Sequence, residues 1–354
     1  MARILYGVNG EGSGHSTRSK EVIAHLLERG HQVHVVSFDR GLQNLSRDFE
    51  VTEIYGLRFA YLNNRVQYRG TIAKNLATAP QARKSVSRLM QLVEDWKIEL
   101  VVTDFEPLSC FVGHKKNLPV LSINNQHLLT NATVEYPRAY RKDAAAAKLV
   151  TRCMTPRANA YIVISIFDAP VTKKNTYIFP PILRREVIEA RPSVGEDMLV
   201  YVTSPSGELA GLLRNIRGRF VCYGFQRDGQ DGNLTFKKPS LDGFLADLVK
   251  CRAVIANAGF SLVSEALHLA KPYLAIPVQH QFEQALNAYY VDKMHYGAYW
   301  DEVNKERIES FLYNADDYRT TLASYPRPGN VALFTKLDEL IAQHLPRVRA
   351  AGAR

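Results

Sequence analysis

A histidine set among glycines at the end of a strand is a candidate for proton transfer, and this chain has one. Asn9-Gly-Glu-Gly-Ser-Gly-His15 puts Gly12, Ser13 and Gly14 directly before His15. Without Cβ atoms, glycines let backbone amides approach a ligand, and the free N–H groups of a helix start attract an anion. His15 can then serve as a general base near neutral pH; the alternative is an imidazole that only caps the helix or binds a loop carbonyl. The glycines taken alone also suit a dinucleotide, with Asp39 after the next strand in the place of a ribose-binding acid. A carboxylate follows in Val-Thr-Asp104-Phe-Glu106-Pro. Asp104 is expected to hold the histidine in one tautomer and to stabilise its protonated form. A helix cap after Pro107, or chemistry by Glu106 in its stead, are competing readings. Asn124-Asn-Gln-His127 ends a further strand, so His127 is expected to line the same cleft unless the cluster is only a hydrogen-bonded turn.

The second half holds a longer pattern, Ala256-Asn-Ala-Gly-Phe-Ser-Leu-Val-Ser-Glu265. A strand runs into Asn257 and Gly259, and a helix opens near Phe260. Ser261, Ser264, Glu265 and His268 fall on a polar stripe, while Val263, Ala266, Leu267 and Ala270 fall on an apolar one. Amides at the helix start suit a diphosphate, assisted by the Ser261 hydroxyl. Glu265, one turn further, can accept hydrogen bonds from the two vicinal hydroxyls of a ribose. After Pro277 comes Gln279-His-Gln-Phe-Glu-Gln284, whose Gln281, Glu283, Gln284 and Asn287 offer donors and acceptors to a polyhydroxylated ligand.

These residues need elements to position them. Short β-branched runs alternate with amphipathic stretches, which predicts an α/β chain with parallel sheets. Strands are expected at Arg3–Val8, Gln32–Ser37, Val51–Ile54, Glu99–Thr103, Val120–Ile123 and Ala160–Ser165. A helix is expected over Ser16–Arg29 with Gly30 as its left-handed cap. Residues 166–194 lose periodicity and contain Pro170, Pro180, Pro181 and Pro192. The alternation then resumes with strands at Met198–Thr203, Arg219–Tyr223, Leu234–Lys237, Ala253–Ala256 and Tyr273–Ile276. The expectation is therefore two Rossmann-like domains facing across a cleft: 1–170, a linker 171–194, 195–330, and a C-terminal helix and tail 331–354. Ligands of such sheets sit beyond the carboxyl ends of the strands, where the motifs above fall.

Composition narrows the classes further. The chain has 354 residues, 46% hydrophobic and 23% charged, which suits two folded domains and excludes a largely disordered chain. No stretch reaches ~18 apolar residues and no signal-like leader opens the sequence, so a cytoplasmic protein is expected. The 4 cysteines form no CxxC pair, which argues against a disulfide framework and a zinc cage. There is also no HExxH, and no metal is expected. The net charge is +10, and residues 58–88 carry Arg58, Arg65, Arg69, Lys74, Arg83, Lys84 and Arg88 without one acid. Such a patch attracts phosphates, anionic lipid or nucleic acid, or simply aids solubility.

In these motifs the sequence resembles the two-domain GT-B glycosyltransferases, most closely the branch with the peptidoglycan lipid-linked N-acetylglucosaminyltransferase and the plastid galactolipid synthases. The resemblance spans nearly the whole chain and is most specific over Asn257–Asn287. It implies that Gly259–Ser261 hold the diphosphate of a nucleotide-sugar, Glu265 its ribose, and Glu283 with Gln284 its sugar hydroxyls, with His280 in the same loop. Thr203 and Ser204 match a further phosphate-contacting position, and His15 paired with Asp104 matches the usual base. Two departures stand out: Asn-Ala-Gly where members usually carry two glycines, and a shorter loop at His280. The expected activity is metal-independent, inverting transfer from a UDP-sugar to a hydroxyl acceptor. That acceptor is expected to be lipid-linked or a cell-envelope glycan, reached from the inner face of an anionic membrane. The rival classes are a nucleotide-sugar epimerase and an NAD(P)-dependent oxidoreductase, the second leaving Asn257–Asn287 without a task. Nucleic-acid binding fits only the charge, since no recognition motif accompanies it.

Overall fold

Apolar runs too short for helices and bounded by turn residues form the strands, and most are buried on both faces, as parallel strands under helices must be. The computed structural model describes residues 1–56, 61–62, 65–66, 79–203, 207–238, 240–300 and 302–345. In the first lobe the strands are β1 (Arg3–Val8), β2 (Gln32–Ser37), β3 (Val51–Glu53), the hairpin β4 (Tyr61–Leu62) and β5 (Arg65–Val66), then β6 (Leu100–Asp104), β7 (Val120–Asn124), β8 (Ala160–Ile164) and β9 (Thr176–Phe179). The second lobe contributes β10 (Asp197–Tyr201), β11 (Arg219–Tyr223), β12 (Gly229–Asp231), β13 (Leu234–Lys237), β14 (Ala253–Ala256), β15 (Tyr273–Ala275) and β16 (Gly297–Tyr299). Among the described residues they make two seven-stranded sheets, ordered β3-β2-β1-β6-β7-β8-β9 and β12-β13-β11-β10-β14-β15-β16. The antiparallel pair β12–β13 is the one departure from parallel pairing in either sheet.

Among the parallel strands of each sheet the order reverses once, between β1 and β6 and between β10 and β14. At such a reversal the two following loops diverge and leave a crevice for ligand. The loops concerned are Asn9–Gly14 with Phe105–Glu106, and Val202–Thr203 with Asn257–Gly259, the segments singled out by their residue types. The helix after the first glycine loop runs Gly14–Glu28, and Gly30 ends it at φ +78°, its N–H donating to the Leu27 carbonyl.

One expectation about chain organisation needs correction. Thr176–Phe179, inside the segment expected as linker, is a seventh strand pairing parallel with β8. Pro170 and Pro180 bracket this four-residue run and masked it as loop. The C-terminal helix Val331–His344 packs back on the first lobe: His25 Nε2 lies 2.9 Å from Asp338 Oδ1 and its ring stacks on Phe334 at 4.3 Å. Buried side chains of both lobes accordingly join one apolar cluster, from Ile4 and Ile162 to Val254 and Ala275, with Leu337 and Ile341 from that helix.

Candidate active site

Register brings His15 and Asp104 together. β1 and β6 pair Val8 with Asp104, so the glycine loop and the carboxylate leave the sheet side by side. The Asn9 N–H donates to the Asp104 carbonyl at 3.0 Å and its side-chain amide to the Phe105 carbonyl at 3.2 Å, tying the loops together. His15 Nδ1 stands 2.8 Å from Asp104 Oδ1. Phe105, at φ +56°, lays its ring parallel to the imidazole at 6.2 Å. A non-glycine residue in the left-handed region costs energy and persists where its surroundings impose it.

A second partner of Asp104 was not anticipated. Arg18, one helical turn beyond His15, places Nε 2.7 Å from Oδ2 and Nη2 2.5 Å from Oδ1 of Asp104. Ser19 Oγ donates to Oδ2 at 3.0 Å, and Arg18 Nη1 reaches Asn125 Oδ1 at 3.3 Å. Burial by itself would raise the Asp104 pKa; the charge of Arg18, followed by His15, outweighs it and holds the carboxyl at about 2. The available signal was spacing, since positions i and i+3 share one helical face.

The competing roles near Asp104 fall to other residues. Glu106 is the helix cap: fully buried, its carboxylate accepts from the Leu108 and Ser109 amides at 2.9 and 2.6 Å. His127 is buried, with Nδ1 2.9 Å from Asn124 Oδ1 and the ring against Tyr161. Desolvation, and then Lys173, push its pKa down to about 3, so it is neutral. The turn reading therefore describes His127 better than a cleft-lining one.

Across the cleft, Gly259 caps the helix Phe260–His268 and Ser261 faces Gly14. A Cβ on Gly14 would come within 2.8 Å of Ser261 Oγ, so the two lobes nearly touch at this point. Asn257 braces the loop ends: its Oδ1 accepts from the Thr203 N–H at 2.8 Å and hydroxyl at 3.1 Å, and its Nδ2 donates to the Ile276 carbonyl. Ser204 lies outside the described residues. Gln126 Nε2 donates to Glu283 Oε2 at 2.9 Å, a direct bond between lobes. Asn125, Gln126, Phe167, Phe260, Phe282 and Glu283 border a mainly apolar pocket there.

Several expected donor-side residues are differently engaged. Beyond the half-buried Ser261, the polar stripe on the Phe260 helix is buried: Ser264, Glu265 and His268 lie under the linker and the C-terminal segment. Glu265 is forked by Arg184 at 2.7 and 2.8 Å, and Ser264 Oγ donates to the Phe260 carbonyl. Gln284 is spent on its own loop, accepting from the Val278 N–H at 3.0 Å and donating to Gln281 Oε1. His280 Nδ1 lies 3.6 Å from Asp143 Oδ1 of the first lobe. Among the described residues no cluster of three His, Cys, Asp or Glu side chains is arranged to hold a metal, and no helix is long and apolar enough to cross a membrane.

The comparisons agree with this architecture. Residues 2–316 match the family described as Glycosyl transferase family 1. A Methanosarcina mazei protein described as an uncharacterized glycosyltransferase is 24% identical over 329 residues, covering 83% of this chain and 84% of its own. The glycotransferase of kitacinnamycin superposes with a TM-score of 0.69 at 15% identity, over 98% of this chain and 99% of its own. Phytolacca americana UGT2, complexed with UDP-2fluoro-glucose and pterostilbene, gives 0.68 at 14% identity over 97% and 99%. Acinetobacter baumannii MurG gives 0.62 at 14% identity over 96% and 99%. The fold is thus that of the GT-B glycosyltransferases.

Proposed function

The chain belongs to glycosyl transferase family 1 and is a glycosyltransferase, and from that premise we propose that it moves a sugar from a nucleoside diphosphate-sugar, UDP foremost, to a hydroxyl acceptor with His15 as base. The observation that carries this reading is the 2.8 Å contact between His15 Nδ1 and Asp104 Oδ1 at the mouth of the switch-point crevice. With Nδ1–H donated to Asp104, the Nε2 lone pair is free to take the acceptor proton as the oxygen attacks the anomeric carbon. Attack from the first lobe while the diphosphate leaves toward the second amounts to inversion. Free amides at the start of the Phe260 helix and the Ser261 hydroxyl would meet the departing charge, a scheme that asks for no metal.

Glu265 keeps the ribose role only through the lone pairs that Arg184 leaves open, since a carboxylate offers about four. Glu283 is the better-supported sugar contact, standing between the lobes and trading its Gln126 bond for substrate hydroxyls. A lipid-linked or cell-envelope acceptor on an anionic membrane is part of the same reading, supported by the acid-free basic stretch.

Melting a panel of UDP, GDP, dTDP and CDP sugars with the protein tests the donor. A donor at 100 times its Kd adds about 2.7 kcal/mol. His15→Ala should keep that thermal shift and lose transfer on the order of 100-fold or more. Unaltered transfer by His15→Ala sinks the base assignment, and no shift with any nucleotide sinks the donor class.

A further inference from the structure

Asp104 is buried and shared. Its two oxygens receive Arg18 twice and Ser19 once, and Oδ1 also faces His15 Nδ1. Arg18 Nη2 itself lies 2.7 Å from the same imidazole nitrogen. Nδ1 therefore stands between an acceptor and a donor, and which one it pairs with decides the tautomer. Paired with an ionised Asp104, Nδ1 carries the proton and Nε2 is a base. Were Asp104 protonated, it would donate to Nδ1, Nε2 would carry the proton, and no lone pair would face the cleft.

We propose that Arg18 is a positioning residue of the transfer reaction: its guanidinium keeps the buried Asp104 ionised and aimed at Nδ1, and so selects the His15 tautomer that can act as base. This rests on the reading of His15 as base. Burial favours the neutral acid at Asp104, and Arg18 is the foremost influence opposing it. The remaining ionisable neighbours cannot replace it. Tyr6, behind the carboxylate, is itself buried and held neutral, while Glu283, from the opposite lobe, bears a charge of the wrong sign and strengthens the charged form of Arg18. Arg18 is the candidate because it alone among these groups is cationic and bidentate on Asp104. A lysine could supply the charge but not the fork.

Three variants and one spectrum test it in the full chain. Arg18→Gln should lower kcat on the order of 100-fold while the donor KM moves less than about threefold. Arg18→Lys should recover part of kcat, because charge without the fork still favours the carboxylate. Arg18→Gln added to Asp104→Asn should cost nothing further, because Arg18 acts only through Asp104. The ¹⁵N shifts of His15, assigned against His15→Ala, should report Nδ1–H in the wild type and a move toward Nε2–H in Arg18→Gln. If Arg18→Gln does not fold, Arg18→Lys and the wild-type spectrum still decide, and Nε2–H in the wild type overturns the inference. An additive loss in the double variant, or an Arg18→Gln effect confined to melting temperature, also overturns it. Failure of the base reading is distinguishable: His15→Ala then stays active whatever Arg18 does.

Discussion

Asp104 shows how much a single side chain can hold when water is excluded. A buried carboxylate is costly unless paired and hydrogen-bonded, and here it is both. Its held pKa of about 2, against an ordinary value of 3.8, means that the folded chain binds its proton more weakly than the unfolded chain does. The resulting stabilisation is present above about pH 4 and is lost as pH falls toward 2, and the shift corresponds to about 2 kcal/mol. Urea unfolding between pH 5 and pH 2.5 should therefore fall more steeply for the wild type than for Asp104→Asn, by an amount of that order. Parallel curves would mean that Asp104 contributes nothing to acid sensitivity. His127, one strand away, illustrates the opposite outcome: burial beside Lys173 keeps it neutral, and its hydrogen bonds go to Asn124 in its own turn and to Thr155.

At the scale of elements, the glycine loop has two glycines with different duties. A Cβ on Gly10 would sit 2.0 Å from the Phe38 carbonyl oxygen, a backbone atom that cannot yield. A Cβ on Gly14 would meet the tip of the Ser261 side chain at 2.8 Å, which can yield by rotating away or by a slight parting of the lobes. Gly10→Ala is thus expected to destabilise by about 1–3 kcal/mol through a shifted loop, whereas Gly14→Ala should barely change the melting temperature and act on donor affinity by spreading the lobes. Thermal melts with and without nucleotide-sugar separate the two, and equal destabilisation by both would refute the distinction. The Phe260 helix makes a related point. Past Ser261 both its stripes are buried, where Arg184 of the linker neutralises Glu265 and Arg327 Nε donates to the His268 carbonyl.

Over the whole molecule, charge is unevenly spread. The helix Ala79–Asp95 exposes Arg83, Lys84 and Arg88 on the first lobe, the part of the acid-free stretch whose side chains are described. Juxtamembrane bases contribute about 1 kcal/mol each toward an anionic surface. Reversing all three to Glu should abolish sedimentation with vesicles of anionic lipid and leave transfer to a water-soluble acceptor unchanged. Equal sedimentation of wild type and variant would remove the membrane from the proposed function. The lobes meet through Gln126–Glu283 and through Phe167 stacked on Tyr290 at 3.3 Å.

Periodicity and loop chemistry determined two Rossmann-like lobes and the pairing of His15 with Asp104. Both depend on local pattern: strand-length apolar runs, and motifs that must fall at the carboxyl ends of parallel strands. The seventh strand at Thr176–Phe179 lay hidden because flanking prolines imitate a loop. The return of the C-terminal helix to the first lobe, the Arg184 hold on Glu265 and the self-bracing of Gln284 were decided by tertiary structure alone. A polar side chain carries the same donors and acceptors wherever it sits, and only packing determines which neighbour, protein or ligand, satisfies them. Arg18 lies between the two cases: its helical spacing from His15 is written in the chain, but its grip on Asp104 exists only once β1 and β6 lie side by side.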